Sequence, residues 1–127
     1  MSQPKVTENS RPPNPLRRAW TVTSFAEFWP LYLREHSQPL TRRIHIAGTL
    51  IGAALLVAAC VGGPMLALVG VIVAYSLAWI AHFQVEGNRP ATFSHPWWSL
   101  KGDLKMTALY LTGRLDAELQ RHRIGLF

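Results

Sequence analysis

With 127 residues, 49% of them hydrophobic and 16% charged, the chain is one domain and neither a disordered segment nor an ordinary soluble protein. The net charge of +6 would suit nucleic acid, but every Lys and Arg lies outside the apolar stretch 44–85, so the charge reads as membrane flanks and no nucleic-acid partner is expected. The single Cys60 can close no intrachain disulfide and reads as a small packing residue.

Residues 1–19 are rich in Pro and polar side chains and are expected to form a disordered cytoplasmic tail, leaving 20–127 as a single membrane domain. Ser24 followed by Glu27 predicts a capped helix start. Phe25, Phe28, Trp29, Tyr32, Leu33 and His36 then recur at helical spacing, and Pro30 should kink or divide the run. The expected product is an amphipathic interfacial helix. Thr41 is a plausible cap for the next element, where Arg42 and Arg43 carry the wrong sign for the helix dipole and read as a membrane flank or an anion site.

Two apolar limbs, 44–61 and 65–84, follow around Gly62-Gly63-Pro64. Each approaches the length of a bilayer-crossing helix, and Gly-Gly-Pro suits the end of one helix and the start of another. The fold class is therefore all-α: an integral membrane helical hairpin with flanking amphipathic interfacial helices. Gly48 and Gly52 on the first limb, and Gly70, Ala74 and Ala78 on the second, form small-residue stripes that should meet. Arg34, Arg42, Arg43, Arg89 and Lys101 flank the open end, whereas the tip is uncharged, which places both termini in the cytoplasm. The membrane is the inner membrane of a bacterium or the endoplasmic reticulum of a eukaryote. Trp29, Tyr32, Trp79, Phe83, Trp97 and Trp98 read as an aromatic belt at that end. After the break at Gly87-Asn88-Arg89-Pro90, Asp103 looks like the cap of a last helix whose apolar side is Leu104, Ala108, Leu111, Leu115 and Leu119.

The hairpin returns His82 to the depth of His45, and His36 and Glu86 converge on the same mouth. His82 and Glu86, one turn apart, can place two ligands on one ion. Several nitrogens and a carboxylate, with no thiolate nearby, suit Fe(II), Zn(II) or Mn(II). Interfacial histidines with a Glu86–Arg89 ion pair satisfy the same spacing.

The stretches FAEFWPLYLREHSQPLTRRIHIAGT and WIAHFQVEGNRPATFSHPWWSLKGDLKM resemble two blocks of a family of small membrane proteins that includes the fungal endoplasmic-reticulum 2-hydroxy fatty acid dioxygenase. The resemblance covers roughly 25–115; Gln38 stands where the family usually has Asn. It implies an Fe(II)-dependent enzyme of fatty acid α-oxidation that uses dioxygen to shorten a long-chain 2-hydroxy fatty acid by one carbon. It also implies that His36, His45 and His82 hold the metal; Glu86, from its spacing to His82, would be a fourth ligand or a partner to one of them, and His95 lies in a variable stretch. Arg89, and after it Arg43, are the candidates for binding the substrate carboxylate, because a guanidinium fork fits that group. The acyl tail would lie along the apolar helices or in lipid. Two other readings suit the residues: a non-enzymatic membrane module binding lipid, or haem through His45 and His82, and a soluble helical protein with zinc.

Overall fold

The computed structural model describes residues 22–90 and 94–125. The expected tail, 1–19, lies outside them. Among the described residues every regular element is helical. Helix α1 is Phe25–Glu35, α2 is Pro39–Gly62, and α3 is Met65–Ile80, continued by a π-helical turn at Ala81–Glu86. Helix α4 is Pro96–Leu111 and α5 is Leu115–Arg121.

Helix α1 starts where the capping signal places it: the Glu27 amide donates to Ser24 Oγ at 3.2 Å, and Glu27 Oε2 accepts from the Thr23 amide. The helix continues through Pro30 rather than dividing there. The missing amide costs one hydrogen bond, and Phe28, Trp29, Tyr32 and Leu33, all buried, hold the turns on either side.

The hairpin forms as the glycines and proline direct. Gly63 adopts φ 98° and donates its amide to the Ala59 carbonyl, and Pro64 begins the return. The small-residue stripes meet: a Cβ on Gly52 would stand 3.4 Å from both Ala74 Cβ and the Gly70 carbonyl oxygen. That spacing lets the two backbones approach closely. Helix α2 begins earlier than expected, at Pro39 with Gln38 before it, so Thr41 lies inside the helix and is not its cap.

Leu56, Val57, Val61, Met65, Leu68, Val71 and Ile72 are exposed around the hairpin. Both Pro39–Gly62 and Met65–Glu86 are long and apolar enough to cross a membrane. Apolar surface on this scale, left uncovered by the rest of the chain, is consistent with a membrane protein.

The buried core sits at the open end instead, where α1, α4 and α5 pack together. Phe28, Trp29, Tyr32, Leu33, Ile46, Met106, Leu115 and Leu119 form it. The expected aromatic belt therefore divides. Trp79, Phe83 and Trp97 are exposed, but Trp29 and Tyr32 belong to the core.

The last helical region differs from the sequence expectation in start and face. It begins at Pro96 and breaks after Leu111, where Gly113 takes φ 71°. Ser99, Gly102, Met106 and Thr107 are its buried residues in α4, whereas Leu104 and Leu111 point outward. Gly102 decides the face: a Cβ there would come within 2.8 Å of the Tyr32 ring, so only glycine lets α4 settle flat on it. Asp103, expected as a cap, is thereby carried into the middle of the helix.

Candidate metal centre

Three helices deliver one histidine each to a single point. His36 follows the last turn of α1, His45 lies in the second turn of α2, and His82 sits in the π-helical turn after α3. Their rings stand edge to face, with centroids 4.3 Å apart for His36 and His45, 4.6 Å for His36 and His82, and 4.9 Å for His45 and His82. One nitrogen from each ring lies within 4.8 Å of the others. All three are buried.

The outer nitrogens are already occupied. His36 Nδ1 donates to the Tyr32 carbonyl at 2.6 Å, which can only accept. His45 Nδ1 meets Asp103 Oδ1 at 3.0 Å. His82 Nδ1 donates to Asn88 Oδ1 at 2.6 Å, an orientation fixed because Asn88 Nδ2 donates to the Glu35 carbonyl. Each ring is thus held with its proton on Nδ1 and its lone pair on Nε2. A metal-binding imidazole is characteristically fixed in this way by a carbonyl or carboxylate behind it.

The inner nitrogens of two rings have no protein partner: His36 Nε2 and His45 Nε2 are buried and accept no hydrogen bond. A buried polar atom left unsatisfied costs about 1–3 kcal/mol. Protonating the rings would not relieve this, since three imidazolium charges would crowd one buried point. Burial, followed by the proximity of His45 and His82, holds His36 well below the ordinary imidazole range. Three imidazoles brought to one point suit a divalent transition metal, and with three protein ligands other coordination positions stay open to small molecules. A porphyrin has no space between His45 and His82, whose rings are in edge contact beside His36.

The surrounding residues explain why the rings stay in place. Tyr32 stacks on His36 with centroids 4.0 Å apart, and its hydroxyl donates to Asp103 Oδ1 at 2.5 Å. Burial, then Asp103, raises the Tyr32 phenol well above its ordinary range, so it stays a donor. The π-helical turn ends at Gly87, φ 70°, and Asn88 returns its amide to the His82 carbonyl. An insertion of this kind re-aims the chain at the point where His82 and Asn88 must face each other.

The remaining candidates go to other places. The Glu86 carboxylate accepts from the Gln38 amide at 2.6 Å and from Ser37 Oγ at 2.9 Å, which puts it at the N-terminus of α2, outside the histidine group. There it opposes the positive end of the helix. Arg42 is fully buried and donates to the carbonyls of His36, Ser37 and Gly125, so it is neither a membrane flank nor an anion site. Arg43 and Arg89 are exposed. His95 stacks on Trp98, with centroids 4.9 Å apart, away from the three histidines.

An open, mostly apolar cavity of about 350 Å³ starts at His45 and His82 and runs along the hairpin. His45, His82 and Asp103 line one end, and Leu56 and Ala67 the other. Pro90 lines it too, next to Arg89 in the chain.

Residues 22–115 match the model of the family described as 2-hydroxy-palmitic acid dioxygenase Mpo1-like. No curated protein and no solved structure matches the chain.

Proposed function

Since the chain belongs to the Mpo1-like family, we propose that it is an Fe(II)-dependent dioxygenase that shortens long-chain 2-hydroxy fatty acids by one carbon at a membrane surface. The observation that carries this is the buried group of His36, His45 and His82, one nitrogen of each within 4.8 Å of the others and the Nε2 atoms of His36 and His45 without a partner, at the mouth of an apolar cavity. The overall reaction balances without another reductant. A 2-hydroxy acid and dioxygen give the acid one carbon shorter, carbon dioxide and water, and the four electrons lost by the substrate are those dioxygen accepts.

His36, His45 and His82 would hold the iron, and the bound ion supplies the redox chemistry toward dioxygen that no side chain in this set possesses. The residues do the rest by positioning. The Tyr32 carbonyl, Asp103 and Asn88 fix the tautomer of each imidazole and keep it correctly turned. The apolar walls of the cavity keep bulk water from the reacting carbons. Arg89, beside the cavity-lining Pro90, is the candidate for receiving the substrate carboxylate, with Arg43 second.

The charged open end faces the cytoplasm, as the positive-inside rule directs. In a Cys60→Ser background, Met65→Cys at the tip should label with an impermeant maleimide only from the opposite side of sealed vesicles. Labelling from the cytoplasmic side would reverse the orientation.

The reaction is tested with full-length protein purified without oxygen, loaded with Fe(II) and given 2-hydroxyhexadecanoate and dioxygen. The expected product is pentadecanoic acid, with equimolar carbon dioxide. His45→Ala and His82→Ala should each lose bound iron and product while still inserting into membranes. Full iron and full turnover in either variant would remove that histidine from the site.

A further inference from the structure

The cavity does not end at the metal centre. Its lining descends α2 from His45 through Thr49, Gly52 and Ala53 to Leu56, and ascends α3 from Ala67 to His82. From His45 to Leu56 a helix advances about 16 Å. In an extended chain three bonds span about 3.5 Å, so this length accommodates roughly fourteen carbon–carbon bonds. The walls are mostly small side chains, and Gly70 and Gly52 bring the backbones close enough for the groove to have a floor. At the top, the unpartnered and buried Nε2 of His45 faces the metal site that the same cavity meets. A slot that is mostly apolar, with Thr49 and Tyr75 partway along and its histidines and carboxylate gathered at one end, fits a ligand with one polar head and one unbranched tail.

We infer that this groove, and not the surrounding lipid, takes the acyl tail of the substrate, and that Leu56 and Ala67 at its far end set the chain length. The inference rests on the proposed reaction for the identity of the head group. Its geometry assigns specificity to residues near the hairpin tip, more than ten residues from the nearest histidine in each helix. Thr49 and Ala78, near the top, bound the first methylenes, and Leu56 and Ala67 meet the terminal ones. A bulkier side chain at the far end therefore penalises long tails selectively, and a smaller one extends the range.

Two measurements test this on the full chain in vesicles. In the first, a sixteen-carbon 2-hydroxy fatty acid with a terminal diazirine is photolysed with the protein, and the adducts are mapped by mass spectrometry. Adducts should concentrate at Ala67, and at Leu56 on the exposed rim of the groove in preference to its neighbour Val57, and be displaced by unlabelled 2-hydroxyhexadecanoate but not by an equal amount of phosphatidylcholine. Adducts spread over the outward residues Val57, Leu68 and Ile72, or equal displacement by the phospholipid, would overturn the assignment.

In the second, the ratio of turnover with 2-hydroxyhexadecanoate to turnover with 2-hydroxydecanoate is compared among variants. Ala67→Phe should lower that ratio at least tenfold, and Leu56→Ala should raise turnover of an eighteen- or twenty-carbon acid relative to the sixteen-carbon acid. A ratio unmoved by Ala67→Phe in protein that retains its iron would overturn the assignment. The cross-linking needs no turnover, so an inactive wild-type protein would defeat the reaction while leaving the groove to be judged by its adducts.

Discussion

Asp103 and His45, 58 residues apart in the chain, meet at 3.0 Å through Oδ1 and Nδ1. The same carboxylate oxygen accepts the Tyr32 hydroxyl. Asp103 is thus the point at which α1, α2 and α4 are joined behind the three histidines. Carboxylate partners of this kind raise the basicity of the imidazole and fix its tautomer, and losing one typically costs 10- to 100-fold in metal affinity. Asp103→Ala should weaken Fe(II) or Zn(II) binding by about that factor, and Asp103→Asn should do so by less, because the amide oxygen still accepts from Nδ1. Metal titration monitored alongside helix content by circular dichroism separates affinity from fold. An unchanged affinity in Asp103→Ala would reduce this contact to packing.

Gly102 supports that arrangement from beneath. Replacing it with Ala removes the glycine penalty of about 1 kcal/mol in a helix, but it drives a Cβ to 2.8 Å from the Tyr32 ring. Tyr32 is completely buried between Trp29, Phe28 and His36 and has no empty space to enter. Overpacking of a closed site costs about 1–3 kcal/mol, so the net effect should be a loss. Gly102→Ala is expected to lower the thermal midpoint in detergent and to weaken metal binding as Tyr32 shifts from Asp103. A variant more stable than the parent would show that the helices separate easily.

How far the site was legible in the sequence follows from which interactions are periodic. The hairpin, its tip and the meeting of Gly52 with Gly70 and Ala74 could be read from apolar runs and small-residue spacing. So could the gathering of His36, His45 and His82, because helix length fixes depth. The residues behind the histidines could not. Asn88 lies six positions after His82 across a π-helical turn, a register no 3.6-residue pattern anticipates. Asp103 was masked by a different local signal, since Asp before an apolar run imitates a helix cap. Arg42 looked like a membrane flank because the His36 and Ser37 carbonyls turn toward it only at the corner between α1 and α2, and the Gly125 carbonyl comes from 83 residues further on. Trp29 and Tyr32 share their composition with an interfacial belt and differ from it only by tertiary packing.

Glu86 separates a ligand from a cap. Its carboxylate meets the Gln38 amide and the Ser37 hydroxyl at the start of α2, where Gln38 makes no side-chain cap of its own. A helix start satisfied in this way is worth about 1 kcal/mol. Glu86→Gln should therefore lower stability by up to that amount, since the amide can replace only part of the pairing, and leave bound iron stoichiometric. Loss of iron at unchanged stability would make Glu86 a ligand.

The contact between Trp29 and Glu118 gives the open end a pH dependence of its own, apart from that of His36, His45 and His82. The indole Nε1 donates to Glu118 Oε1 at 2.8 Å, and His122 approaches the same oxygen at 3.3 Å. The indole hydrogen bond first, then His122 and Arg121, lowers the Glu118 carboxyl below its ordinary range, against the opposing effect of burial. The unfolded chain therefore binds the proton more tightly than the folded one. The stabilisation is fully present above the unfolded value of about 4.3 and is lost as pH falls through the depressed folded value. A hydrogen bond to a charged group contributes about 1.5–3 kcal/mol, and Arg121, mostly exposed, adds little. Glu118→Gln keeps an acceptor for the indole and removes only the charge. Its deficit against the parent should be about 1 kcal/mol at pH 7 and shrink toward zero below pH 4, as the parent's own carboxylate is protonated. Denaturant unfolding in detergent followed by tryptophan fluorescence reads the difference at each pH. A deficit that stays constant, or grows as pH falls, would mean that the ionised carboxylate is not what the Trp29 contact stabilises.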